Sequence, residues 1–430
     1  MNEIQLVHGR RIWDSRGRPT VEVEVTLANG IQGRSAAPAG ASRGMREAVD
    51  LRDGGSRVAG MDVRKAIANV NGPIARELVG RPVGPQRRID DALIRLDGTA
   101  NKSNLGGNAM VATSQAVLNA AAANESKPLW VHLVDTCGQT PSIPLPEIQI
   151  FGGGAHAGRR IDVQDFMIMV PGAESLGEAL LTTSEIYLAA GTIMERRHGS
   201  AGVADEGGWW PQFASNEEAL EVLVSAIEAV GEIPGDRVVI SLDVAASEFG
   251  SNGMYTLALE DRVVGTEELI NLLGSWIESY PIVSIEDPLA EDDLEGMKEF
   301  TKLYGSRIQV IGDDLLATNA ALVADAAQSG ACNGTLIKVN QAGTVSEAID
   351  AFGAARQAGF ATIVSARSGE TEEVTICHLA VGLGAGQLKV GSFSRSERMA
   401  KWNECLRIGE HPAAGSFAGG RSLSATWWQG

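Results

Sequence analysis

Asp243, Glu286 with Asp287, and Asp313 with Asp314 each follow a short apolar run, and Lys338, Arg367-Ser368 and Lys389 follow or close the next three. Three carboxylates in succession offer hard oxygen ligands of the kind Mg²⁺ prefers, an ion that keeps some waters and also takes substrate oxygens. The two lysines and the arginine after them suit recognition of an anionic substrate. A lysine in an apolar run is seldom buried without a partner, so Thr335-Leu336-Ile337-Lys338-Val339-Asn340-Gln341 requires acids, a metal site or an anion nearby. Taking a proton from carbon beside a carboxylate is the hard reaction such a set fits. A divalent cation stabilises the enediolate, and a lysine beside metal charge becomes a usable base. Any one of the acids is equally well read as a cap on the next helix. Six such positions in phase are not.

Elements that could bring these residues together are visible in the spacing. Apolar runs recur at Val238–Leu242, Ile282–Ile285, Ile308–Ile311, Thr335–Ile337, Ala361–Val364 and Gln387–Val390. After a longer first gap they lie roughly 25 residues apart, room for one strand, one helix and two loops. Helical stretches over Glu267–Glu278, Asp293–Leu303 and Val345–Ala358 fall between them. Repeated β-then-α units predict a closed parallel α/β barrel whose strand C-termini share one face. Upstream, Val21–Leu27 alternates apolar and polar as a half-buried strand, and Asn29-Gly30 predicts a turn into a return strand from Ile31. A helical pattern follows from Val63, with Asp62 as its N-cap and breaks at Gly72-Pro73 and Gly80-Arg81-Pro82. Ala109–Ala123 favours helix. The reading is an α+β N-terminal domain over residues 1–135, a barrel over 140–410 and a tail over 411–430. The tail ends Trp427-Trp428-Gln429-Gly430 and is expected to be flexible or to dock on the body or another subunit.

The bulk numbers exclude several classes. A net charge of −18 over 430 residues argues against a nucleic-acid partner or an anionic membrane surface. No run of about eighteen apolar residues predicts a membrane span, and Met1–Gly9 does not read as a secretory signal. Cys137, Cys332, Cys377 and Cys405 show no metal or disulfide spacing and read as reduced thiols of a cytoplasmic protein.

Beyond these residues, several motifs stand in order: Asp14-Ser15-Arg16-Gly17, Gly40-Ala41-Ser42, Leu96-Asp97-Gly98-Thr99, Gly152-Gly153-Gly154-Ala155-His156-Ala157-Gly158 and Ala204-Asp205-Glu206-Gly207-Gly208. Ser241-Leu242-Asp243, Ser284-Ile285-Glu286-Asp287-Pro288, Gly312-Asp313-Asp314-Leu315, Lys338-Val339-Asn340-Gln341, Arg367-Ser368-Gly369-Glu370 and Ser394-Arg395-Ser396-Glu397-Arg398 complete the series. On these motifs the chain resembles an enolase over roughly residues 2 to 410. The resemblance implies an α/β, (β/α)8-like barrel behind a smaller α+β domain, and a Lys base paired with Mg²⁺, the known device of that superfamily. It implies that Asp243, Glu286 and Asp313 hold a first Mg²⁺ and that Ser42 helps hold a second. Lys338 is then the base and Glu206 the acid at the leaving group, with Asp165 beside it. Arg367, Ser368 and Lys389 bind phosphate and carboxylate, helped by Gln164 and His156, with Ala41 and Arg43 on the substrate loop. It also implies a homodimer or larger homo-oligomer.

Four departures from the enolase pattern bear on function. The histidine of the family's Ser-His-Arg-Ser motif is Ala366, its Gln-Glu pair is Gln164-Asp165, its loop threonine is Arg43, and Phe151 and Trp209 replace its usual Asn and Phe, with Trp210 following. Metal and base residues are kept while the shell around the leaving group is changed. The pattern resembles the carboxyphosphonoenolpyruvate synthases of phosphinothricin-type antibiotic pathways, which act on 2-phosphoglycerate and an activated phosphonoformate. The alternatives are a divergent glycolytic enolase making phosphoenolpyruvate, and a non-catalytic enolase-like binding protein.

Overall fold

The computed structural model describes residues 2–199 and 202–428; Gln429 and Gly430 of the expected tail lie outside them. The chain opens with an antiparallel sheet of β1 (Ile4–Trp13), β2 (Pro19–Leu27) and β3 (Gln32–Ala36), with β2 central. Val21, Val23, Val25 and Leu27 are all buried, as the alternation predicts. They pack toward the helix Gly107–Asn124, whose alanines let the sheet come close. At Gly33 a Cβ would lie 2.3 Å from the Ala116 carbonyl oxygen, so only glycine permits that approach.

Two local expectations change. The Gly72-Pro73 pair does not break its helix: Arg64–Asn69 runs through a π turn at Val70–Ile74 into Ala75–Leu78. A π turn accommodates the proline because its widened ring needs no N–H from that position. Asp62 is not the helix cap either. Val63 holds that position, and the buried Asp62 carboxylate meets Arg11 Nε at 2.9 Å.

Among the described residues eight strands close a barrel. They are β4 (Leu145–Gly152), β5 (Asp165–Met169), β6 (Val239–Asp243), then, after a small outer meander of β7 (Gly250–Ser251), β8 (Met254–Leu257) and β9 (Arg262–Gly265), β10 (Ile282–Glu286), β11 (Gln309–Gly312), β12 (Gly334–Ile337), β13 (Ala361–Ser365) and β14 (Gln387–Ser392). The barrel is not wholly parallel, because β5 runs antiparallel to both β4 and β6. It joins β4 by a loop that holds one 3-10 turn (Gly154–Ala157) and no α-helix, which is why the repeat spacing misses both strands. Asp165 pairs in register with Asp243, so the start of β5 lies at the rim where the other strands end.

Helices Leu176–His198, Asn216–Ala229, Leu294–Tyr304, Ala320–Ser329 and Val345–Ala358 are capped by Ser175, Ser215, Asp293, Asn319 and Thr344. None of these caps is Asp243, Glu286 or Asp313, and those acids face the rim. One apolar cluster runs without a gap from β2 to Leu388 of β14, so the N-terminal sheet and the barrel share a core. The tail docks on the body: Leu423 and Trp428 are buried against Leu145, Met169, Val239 and Val283 at the opposite barrel end. Trp427 Nε1 donates to the Ile282 carbonyl at 2.7 Å.

Candidate active site

Three acids reach the rim from neighbouring strands. Asp243 and Glu286 end β6 and β10 and stand in register, and Asp313 follows β11. Lys389, from β14 across the barrel, extends its ammonium between the first two, 2.8 Å from Asp243 and 2.7 Å from Glu286. Lys338, just past β12, is bonded to Asp313 Oδ2. All five side chains are buried. Burial disfavours the charged form of Lys338, but the surrounding carboxylates, Asp313 foremost and then Glu286, together offset this and hold its pKa above the usual lysine value.

The opposite wall is built around Asp165. Its Oδ1 accepts from Gln149 and lies 3.1 Å from His156 Nδ1. The other ring nitrogen lies 3.0 Å from Ser368 Oγ and 3.7 Å from Glu206. Burial alone would lower the His156 pKa, but Glu206 and Asp165 raise it to about 9, so the ring is an imidazolium at neutral pH. Glu206 is in turn held below its ordinary value: burial pushes it up, and His156, Arg398 and Lys389 outweigh that. Gln164 Nε2 donates to Asp243 at 3.0 Å, tying this wall to the acids.

The segment Ala39–Gly44 lies over the site. Ala39 and Gly369 exchange backbone hydrogen bonds at 2.8 and 2.9 Å, and the Ala41 N–H donates to Ser368 Oγ at 3.1 Å. Arg367 donates to the Ser42 carbonyl at 2.9 Å and grips Glu47 with both terminal nitrogens, at 2.9 and 3.1 Å. The space left between Ser42, His156, Asp165, Glu206, Lys338, Ala366 and Lys389 is about 20 Å³, room for about one water. Arg43 stands apart. It is exposed and faces a separate recess with Pro38, Gly40 and Glu47.

The donor set suits a hard divalent cation. Asp243, Glu286 and Asp313 supply only oxygens, and Glu286 Oε1 and Gln164 Oε1 are buried without a hydrogen-bond partner. Burial and the neighbouring Asp243 push the Glu286 pKa well above the carboxylate range, so without a cation that carboxyl favours its neutral form, a preference that a bound divalent cation would reverse. Among the described residues two groups have ligand atoms within 4.8 Å of one another: His156-Asp165-Glu206 on the opposite wall, and Asp287-Asp313-Asp314, which shares Asp313 with the expected trio. In the second, Asp287 accepts from the Asp313 and Asp314 N–H groups, both at 2.9 Å, and so shapes the loop that carries Asp313.

Comparison with protein families settles the relationship. Residues 4–133 match the model described as "Enolase, N-terminal domain", and residues 140–426 match "Enolase, C-terminal TIM barrel domain". The chain belongs to the enolase family. In this family member the strand-end residues meet at one rim, and of the other residues expected at the site Arg43 on the overlying loop does not join them. Three polar residues to which the sequence assigns no role share the site: Gln149, Glu47 and Gln341. Gln149 leaves a signal, since Glu147 and Gln149 are polar at alternate positions of an apolar run, the mark of a barrel interior. Gln341 stood within a quoted motif, but nothing in its spacing gives it a partner. Trp209 is a packing residue, stacked on Tyr187 at 4.9 Å.

Proposed function

We propose that this enolase abstracts the C2 proton of 2-phosphoglycerate or a similar small phospho- or phosphono-carboxylate, with Mg²⁺ and with Lys338 as base. The observation that carries this reading is the buried Lys338 ammonium on Asp313, with Lys389 bridging Asp243 and Glu286 beside it. A bound divalent cation would supply the Lewis acidity that makes the C2–H labile, and would take over the charge of Asp313. Asp243, Glu286 and Asp313 would hold a first ion, with Ser42 contributing to a second. Lys338, relieved of Asp313, then favours its neutral amine because burial penalises the ammonium. Arg367, Ser368 and Lys389 orient the anionic groups, while Glu206, His156 and Asp165 manage protons at the far side. A homodimer or larger homo-oligomer belongs to the same reading, and sedimentation velocity reads it.

The finer reading is a specialised enolase such as a carboxyphosphonoenolpyruvate synthase, in place of a glycolytic one. It is favoured by Ala366, a methyl group on the pocket wall where the family pattern has a proton donor. Losing one general acid weakens expulsion of hydroxide by roughly 10²- to 10⁴-fold. The expected result with 2-phosphoglycerate, Mg²⁺ and D₂O is deuterium at C2, abolished in Lys338→Ala, with little phosphoenolpyruvate by ultraviolet absorbance. Rapid phosphoenolpyruvate formation would return the protein to the glycolytic class. No exchange and no Mg²⁺ binding would leave a non-catalytic module.

A further inference from the structure

Thr318 has a backbone φ of +51°, the left-handed region that a β-branched residue avoids. It is almost fully buried, and it follows Ala317, itself at +44°. Strain of this kind persists only where the surroundings impose it, and it gathers at functional sites.

The Lys338 N–H donates to Thr318 Oγ1 at 2.9 Å. Thr318 Oγ1 donates its own hydrogen to Gln341 Oε1 at 2.6 Å. Gln341 Nε2 donates to Asp313 Oδ1 at 2.9 Å, and Asp313 Oδ2 accepts from Lys338 Nζ. The links form a closed ring that leaves Lys338 by its backbone and returns by its ammonium.

Direction around the ring is determined by chemistry. A backbone N–H can only donate, so the threonine hydroxyl accepts there and must give its hydrogen elsewhere. That fixes the Gln341 oxygen toward Thr318 and the amide nitrogen toward Asp313. The same nitrogen reaches Glu47, the partner of Arg367, at 3.3 Å, another acceptor that agrees with this orientation.

We propose that Thr318 and Gln341 are positioning residues that set where the Lys338 amine stands relative to the substrate carbon. They touch no substrate. Their effect is on geometry, and misplacement by about 1 Å can cost on the order of 10²-fold in rate. The assignment of a catalytic consequence rests on the reading of Lys338 as base; the ring itself does not.

Three variants at one position separate hydroxyl from strain. Thr318→Val keeps the β-branch and its strain but deletes the hydroxyl. Thr318→Ser keeps the hydroxyl. Thr318→Gly releases the strain and deletes the hydroxyl. In the Mg²⁺-dependent C2 exchange assay with 2-phosphoglycerate, the expected result is a loss of kcat of roughly 10- to 100-fold for Val and Gly, with KM within about threefold. Ser is expected within about threefold of wild type, and Gly is expected to melt no lower than Val. Backbone hydrogen exchange of the peptide spanning Lys338, followed by mass spectrometry, gives a readout independent of turnover. Val and Gly should exchange faster there than wild type, and Ser should not. If wild type exchanges no substrate proton, the base assignment falls, and the peptide measurement still decides the ring. If Val matches wild type in both readouts, or Ser is as impaired as Val, the positioning proposal is overturned.

Discussion

His156 carries a pH signature that can be read directly. Its folded pKa of about 9 lies above the ordinary histidine value of 6.5, because Glu206 and Asp165 outweigh the opposing effect of burial. The folded protein therefore holds a proton that the unfolded chain gives up. Stability from this group is present in full below pH 6.5 and is lost as pH rises through 9, an upper bound of about 3 kcal/mol. Denaturation in urea should show the wild type losing its advantage over His156→Gln across that window. Nitrogen-15 histidine spectra should place the midpoint near 9; a midpoint at 6.5 would contradict the reading. At this scale the wall that carries Lys338 was legible from sequence, because a lysine after an apolar run has few reasons to exist. The wall around Asp165 was legible only through family resemblance, since Asp165 opens its strand where the other acids end theirs. Glu47 left no signal: it lies far from Arg367 in sequence and meets it only when the loop folds over.

Among the elements, the loop over the site makes the sharpest prediction. A Cβ on Gly40 would lie 2.0 Å from an Arg367 nitrogen and 2.5 Å from the Ser42 carbonyl oxygen. Arg367 cannot yield easily, because Glu47 and Asn340 hold it. Gly40→Ala should therefore displace the loop without unfolding the barrel. Steady-state kinetics should show at least about tenfold loss in kcat/KM with a melting temperature within about 2 °C of wild type, the pattern of a surface substitution. The 20 Å³ space beneath the docked loop is too small for a phospho-acid, so the same loop has to open for substrate to enter. The strand-helix repeats after residue 230 were readable because each unit repeats one spacing. β4 and β5 were not, because their antiparallel connection has a different length.

For the whole molecule, the C-terminal segment closes the barrel end opposite the site. Leu423 has no exposed surface, Trp428 donates to the Asp236 carbonyl at 2.5 Å, and Trp427 packs beside it. Removing residues 411–430 should cost roughly 4 kcal/mol, from re-exposing one leucine and one tryptophan. The urea midpoint should fall accordingly; an unchanged midpoint would mean the segment contributes no stability. Composition had left this segment open between a flexible tail and a docked one, because glycine and serine around two tryptophans fit both.

The reversed direction of β5 has a consequence for how such a site diversifies. Lys338, Asp243, Glu286 and Asp313 are mounted where strands finish, each fixed by the strand behind it. Gln164 and Asp165 are mounted where a strand begins, downstream of the loop that also carries His156. The two halves of the rim are thus specified by separate stretches of chain, joined where Asp165 pairs with Asp243, where Gln164 donates to Asp243 and where His156 meets Ser368. On the proposed reading, substitutions can accumulate along 149–165 and at Ala366, altering how the reaction finishes, while the half that starts it keeps its geometry. A catalyst divided in that way would be able to exchange its second step and inherit its first.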